Sequence, residues 1–266
     1  MARANRLRVD GGVFHVTHRC HNREFLLKFA CDRNAYRAKL VEHLEQYEVW
    51  LLDYCVTSNH VHLVVDAPER EQLSGLMREV EGELAKAYNR RKGRDNAFWG
   101  DPYHATAVEG GDYLWRCVCY VELNMVRCGV VKHPRDWQWV GYHEIMGVRK
   151  RYRLLDLDRL CWRLGTESLE EVRKNLEASL AERTARHQMK REASWTESLA
   201  VGSAGFVEKF KPADFSRREL EAVAIGGGAW ALREAVMPYG QKTGLKNARL
   251  RHRDLRCCGG TRRGAA

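Results

Sequence analysis

The chain has 266 residues, and 45 Lys and Arg against 35 Asp and Glu give it a net charge of +10. No run of about 18 apolar residues occurs, which excludes a membrane-spanning helix, and no apolar stretch of secretory-signal length follows Met1. A cytoplasmic protein without a membrane partner is the expectation. At 44% hydrophobic and 30% charged the chain can bury a core, and its basic excess favours phosphate polyanions as partners, nucleic acid first. Nine scattered cysteines, with no Cys-x-x-Cys, fit reduced thiols better than a disulfide framework or a zinc ribbon.

Residues 11–18 follow a Gly turn and alternate around Phe14 and β-branched residues, which predicts a first strand. Asp32 then caps a helix carrying Leu40, Val41, Leu44 and Tyr47 at helical spacing. Two β-rich runs, 49–56 and 60–66, joined by Thr57-Ser58-Asn59, predict a hairpin. Pro68 opens a second helix whose apolar face runs from Leu73 through Leu76, Met77, Val80 and Leu84 to Tyr88, and Arg90-Arg91-Lys92-Gly93 ends it. Residues 103–108 suit a fourth strand. After Gly110-Gly111 comes a helix with Leu114, Cys117, Val118, Val121 and Met125 on its buried stripe, closed by Gly129.

The order β-α-β-β-α-β-α predicts an α+β fold: a ferredoxin-like split βαβ antiparallel sheet with helices on one face. Three regions follow from the change of pattern along the chain: 1–150, a mainly helical extension over 151–240, and a basic tail over 241–266. That tail carries eight basic residues against one acid, Asp254, and has little to bury. The Gly226-Gly227-Gly228 run is expected to be a flexible turn, because it lacks the Lys of a phosphate-binding loop.

The segment Ser58-Asn59-His60-Val61-His62-Leu63-Val64-Val65 is the most informative. On a strand, His60 and His62 present both imidazoles to one side while Val61 and Leu63 enter the core, which makes two legs of a divalent-metal site. A His-x-His alone is a weak signal, and a third ligand is required. Tyr120 and Asn124 lie one turn apart on a flank of the helix over 112–128, shared with Tyr113 and Arg127. That flank is either the polar shoulder of an amphipathic helix, or Asn124 completes the metal site with Tyr120 poised over it. His15 and His104 are candidates for a general base by location only.

With both blocks in view, the His60-Val61-His62 segment resembles the His-hydrophobe-His motif of single-strand DNA endonucleases. Tyr120-Val121-Glu122-Leu123-Asn124-Met125-Val126-Arg127 resembles the nucleophile helix of their one-tyrosine transposase branch, especially transposases associated with repetitive extragenic palindromes. Phe98-Trp99-Gly100-Asp101-Pro102-Tyr103 and Trp139-Val140-Gly141-Tyr142 add weaker support, and the likeness spans residues 10–150. Met125, Cys128 and Pro102 depart from the common pattern, and Pro102 bears on substrate choice.

The resemblance implies that His60, His62 and Asn124 hold Mg²⁺ or Mn²⁺ and that Tyr120 is the nucleophile. The activity implied is cleavage and strand transfer on single-stranded or hairpin DNA through a 5′-phosphotyrosine, as in DNA transposition and recombination. Arg127, the Arg90-Arg91-Lys92 turn, the N-terminal Arg3, Arg6 and Arg8, and Arg249, Arg251 and Arg253 of the tail are the candidate DNA contacts. Residues 1–150 would then form the nuclease domain. The alternative is a DNA-hairpin-binding protein derived from such an enzyme that no longer cuts. A relaxase reading ranks below both, since the chain has no helicase phosphate loop. A homodimer, in which Tyr120 serves the metal site of the second chain, is left open.

Overall fold

Four strands frame the site: Gly12–Arg19 (β1), Trp50–Val56 (β2), His60–Ala67 (β3) and His104–Val108 (β4). They lie in the order β2-β3-β1-β4 with every pair antiparallel, which is the expected ferredoxin-like arrangement. The computed structural model describes residues 11–186, 190–210 and 220–235. Register places Thr17 opposite His62 and His15 opposite Val64, so His15, Thr17 and His62 share one face of the sheet.

Helices Ala30–Leu44 (α1) and Arg70–Lys92 (α2) are the crossovers and cover the Val61 side. His18, opposite Val61, reaches Glu81 of α2 at 2.7 Å, and Arg37 of α1 stands over the ring of Tyr54, which pairs with Leu63. Asp112–Glu122 (α3), Asn124–Arg127 (α4), Tyr142–Ile145 (α5), Leu157–Leu164 (α6), Leu169–Ala185 (α7) and Ser194–Glu197 (α8) follow β4. The opposite face takes contacts from α4, α6 and α8. Asn124 reaches His62, Arg159 and Arg163 of α6 reach Asp66, and the Trp195 carbonyl reaches His15.

Helices therefore cover both faces, where the sequence pattern predicted one. The crossovers α1 and α2 occupy the first face, and the chain after β4 closes the second. Strand β3 is consequently buried on both sides from Val61 to Ala67, its polar His62 and Asp66 included. Burying Val61, Leu63 and Val65 contributes about 1.5–3 kcal/mol per side chain.

The region after 150 is also less helical than its pattern suggested. It adds Ala200–Gly202 (β5), Ala204–Lys209 (α9), Leu220–Gly226 (β6) and Ala229–Glu234 (β7). Strand β5 pairs parallel with β4, and β7 and β6 extend the sheet to seven strands. These strands carry a weak signal because β5 is three residues long and β6 is rich in Ala, a poor strand former. Gly226, Gly227 and Gly228 are all at positive φ; Gly226 ends β6 and the other two form the turn into β7. The basic tail with Arg249, Arg251 and Arg253, and the N-terminal Arg3, Arg6 and Arg8, lie outside the described residues. Among the described residues no helix is long and apolar enough to cross a membrane.

Candidate active site

The helix expected over 112–128 is broken. Leu123, at φ −79° and ψ 3°, separates α3 from α4, so Tyr120 and Asn124 stand on different helical segments. Gly129, at φ +68°, closes α4 as expected, with its amide donating to the Val126 carbonyl at 2.9 Å. Despite the break both side chains meet β3. The Asn124 amide nitrogen lies 2.8 Å from Nε2 of His62, and the Tyr120 ring stands edge-on to His62 with centroids 5.9 Å apart.

His60 and His62 share a face, their rings 5.0 Å apart. The amide nitrogen of Asn59 donates to the Arg23 carbonyl at 3.1 Å, which turns Asn59 Oδ1 toward Nδ1 of His60 at 2.7 Å. An oxygen only accepts, so the His60 proton sits on Nδ1, leaving Nε2 with its lone pair. Burial, with Arg19 and Arg127 adding repulsion, lowers the His60 pKa to about 3. Burial, His60 and His15 hold that of His62 well below the ordinary imidazole range. Both rings are therefore neutral at physiological pH, the state that ligates metal.

Arg127 lies over the Tyr120 ring at 3.9 Å, joining it as the flank pattern anticipated. Burial raises the Tyr120 pKa above the ordinary phenol value, and Arg127 and Arg191 oppose the shift without reversing it. The neighbouring cations thus offset only part of the cost of forming phenolate. Tyr113 is not part of the cluster, since its hydroxyl donates to the Gly228 carbonyl at 3.3 Å.

Arg19, His21, Arg23, His60, His62 and Arg191 line a cleft of about 800 Å³ at the histidine pair. Arg90, Arg91 and Lys92 are not brought to it. They end α2, which covers the other face of the sheet, and Arg91 is engaged with Asp32. Sequence reasoning missed Arg19, Arg23 and Arg191 as cleft residues, and the contact made by Trp195. The alternation of β1 places Arg19 on the His15 face, but no local pattern brings residue 191 to residue 60.

The donors fit a divalent cation. His60 and His62 offer imidazole nitrogens, and Oδ1 of Asn124 is buried without a hydrogen-bond partner among the described residues, an orphan that a cation would satisfy. Cys55 stands opposite His62 in register, but burial pushes its pKa far up and keeps it a thiol, so the set is nitrogen and oxygen. Glu42, His43 and Glu83 also cluster, but Lys39 already bridges the two carboxylates.

A sheet face carrying two histidines, a facing Tyr and Asn, and an arginine-lined cleft defines a site suited to phosphodiesters. Residues 9–124, a little under half of the chain, match the family model described as Transposase IS200 like. His60, His62, Tyr120 and Asn124 all fall inside the matched segment, and Arg127 and Trp195 fall outside it.

Among solved structures the chain is similar to a REP-associated tyrosine transposase bound to a REP hairpin, at 20% identity over 59% of this chain and 93% of that one, with a TM-score of 0.47. It is also similar to a candidate transposase from Deinococcus radiodurans R1, at 14% identity over 44% of this chain and 92% of that one, with a TM-score of 0.33. No curated protein matches the chain.

Proposed function

We propose that the protein is a metal-dependent single-strand DNA endonuclease and strand transferase that acts on hairpin-containing DNA through Tyr120. The convergence of Tyr120, Asn124 and His62 at one point carries this reading, because a protein that only binds DNA needs none of the three there. His60, His62 and Asn124 would hold Mg²⁺ or Mn²⁺. When bound, the ion supplies Lewis acidity toward the non-bridging oxygens of the scissile phosphate.

Tyr120 supplies the nucleophilic oxygen. Its bond to phosphorus forms as the bond from phosphorus to the 3′ oxygen breaks, giving a 5′-phosphotyrosine and a free 3′ hydroxyl. The phenolic proton is lost in attack, and the departing oxygen gains one, so the step is balanced. Reversal by another 3′ hydroxyl rejoins strands without ATP. Arg127 partly offsets the cost of forming phenolate in a buried position. Arg19, Arg23 and Arg191 lie where a phosphate backbone would enter. In this reading residues 1–150 carry the chemistry, 151–240 brace it, and the basic tail over 241–266 adds phosphate contacts.

The test is labelled hairpin DNA with Mn²⁺ or Mg²⁺, comparing wild type and Tyr120→Phe on a denaturing protein gel. A metal-dependent covalent band present only in the wild type supports the assignment. Hairpin binding with no adduct and no nick under any divalent ion would replace it with the non-cleaving hairpin-binding reading.

A further inference from the structure

We infer that His15 is a positioning residue of this centre: it holds His62 in the tautomer whose Nε2 lone pair faces Asn124, and it anchors that order on the main-chain carbonyl of Trp195. The role at a metal rests on the proposed function, but the hydrogen-bond order exists without an ion.

His15 is fully buried on β1, diagonal to His62 across the β1/β3 pair. Its Nδ1 lies 2.8 Å from the Trp195 carbonyl oxygen. A carbonyl only accepts, so Nδ1 carries the proton, and in a neutral ring Nε2 is then the acceptor. That Nε2 is 2.9 Å from Nδ1 of His62, which must therefore donate. The second nitrogen of His62 is left with its lone pair, 2.8 Å from the Asn124 amide. The two rings are within 4° of parallel with centroids 5.1 Å apart, which at this nitrogen–nitrogen distance places them edge to edge, the geometry of an in-plane hydrogen bond.

The far end of the relay is rigid. Trp195 is fully buried, its indole nitrogen donates to Glu192 at 2.9 Å, and its carbonyl also lies 3.1 Å from Thr106 Oγ1. The Ser198 carbonyl accepts from Thr106 at 2.7 Å and lies 2.8 Å from His104 Nε2, which fastens α8 to β4. With both ring nitrogens engaged, His15 is not available as the general base its location suggested. Its place is the one that outer partners of metal-ligating histidines occupy, fixing tautomer and ring orientation. The carbonyl that sets the order lies in the extension, outside the segment that matches the family model. Trp195, beyond residue 150, thereby acts on the chemistry through His15.

The experiment uses the full chain, metal-free and then titrated with Mn²⁺. Long-range nitrogen–proton correlation spectra, with His62→Ala to assign the signals, read the His62 tautomer, and the expected result is Nδ1–H. His15→Leu removes the acceptor and is expected to mix the His62 tautomers and weaken Mn²⁺ binding about 10–100-fold. His15→Gln keeps an acceptor near the former Nε2 position and is expected to restore most of that affinity. Melting temperatures identify variants that fail to fold. A wild-type His62 protonated on Nε2 overturns the inference whatever the variants do, as does a folded His15→Leu protein with unchanged tautomer and Mn²⁺ affinity. A wild type that binds no Mn²⁺ but shows Nδ1–H overturns the metal reading alone.

Discussion

Arg127 stands over Tyr120, its guanidinium carbon 3.9 Å from the ring centroid, and donates to the Tyr120 carbonyl at 2.7 Å. One side chain thus closes the C-terminal end of α3 and places a positive charge over the proposed nucleophile. The hydrogen bond holds the cation on the ring face, and a lysine, with a point charge on a flexible stem, would not reproduce both contacts.

Arg127→Gln removes the charge that opposes the upward shift of the Tyr120 pKa. Loss of a desolvated cation–π contact costs about 1–2 kcal/mol, so single-turnover cleavage at neutral pH is expected to slow about tenfold. The rate should rise with pH as phenolate forms, and in the variant that rise should move to higher pH. A pH-rate profile unchanged in position would remove Arg127 from this role.

Asn124→Ala deletes the orphaned buried Oδ1 and the hydrogen bond to His62 together. These losses nearly cancel in the metal-free protein, where stability should change by about 1 kcal/mol or less. Mn²⁺ affinity, read by calorimetric titration, should fall at least tenfold. Unchanged affinity would exclude Asn124 as a ligand.

Asp53 of β2 and Glu122 of α3 are buried against each other, and burial pushes Asp53 up to about 8 and Glu122 well above the usual carboxylate range. The unfolded chain releases the Asp53 proton near pH 4, whereas the folded chain keeps it to about 8. Within that window Asp53 holds a proton in the native state that the unfolded chain has released, so its contribution to stability falls as pH rises. The buried neutral histidines contribute the opposite trend below about pH 6.5, so the comparison is between wild type and Asp53→Asn in urea denaturation at pH 5 and pH 8, where the variant should gain stability relative to wild type as pH rises. A difference between the two chains that does not change with pH would contradict the buried proton.

Asp66, fully buried on β3, receives Arg159 Nε at 2.6 Å and Arg163 Nε and a terminal nitrogen at 2.7 and 2.6 Å. Removing one member of a buried pair costs about 3–5 kcal/mol, and the partly exposed guanidiniums keep this case near the lower limit. Asp66→Asn should therefore lose about 3 kcal/mol in chemical denaturation. Faster amide exchange across α6 than across α2 would locate the damage.

The site was legible in the sequence where two periods sufficed. A repeat of two puts His60 beside His62, and a repeat near four puts Tyr120 beside Asn124. The break at Leu123 was not, because Leu is a good helix former and the departure lies in the backbone. The covering of both sheet faces was hidden because β3 buries His62 and Asp66 among its aliphatics, which reads as half-exposed alternation. The contact from Trp195 to His15 joins residues 180 apart through a main-chain carbonyl, and no side-chain pattern records such an atom.

The parallel pairing of β5 with β4 bears on how the gene product tolerates shortening. Residues 107 and 108 contact β1 on one side, some ninety positions back, and β5 on the other, about as far ahead. A chain stopped at residue 150 would leave that outer edge of β4 as bare main-chain donors and acceptors beside buried Ala107 and Val108, an invitation to pair with other molecules. Such a fragment would keep every residue proposed for the chemistry and would be prone to self-association.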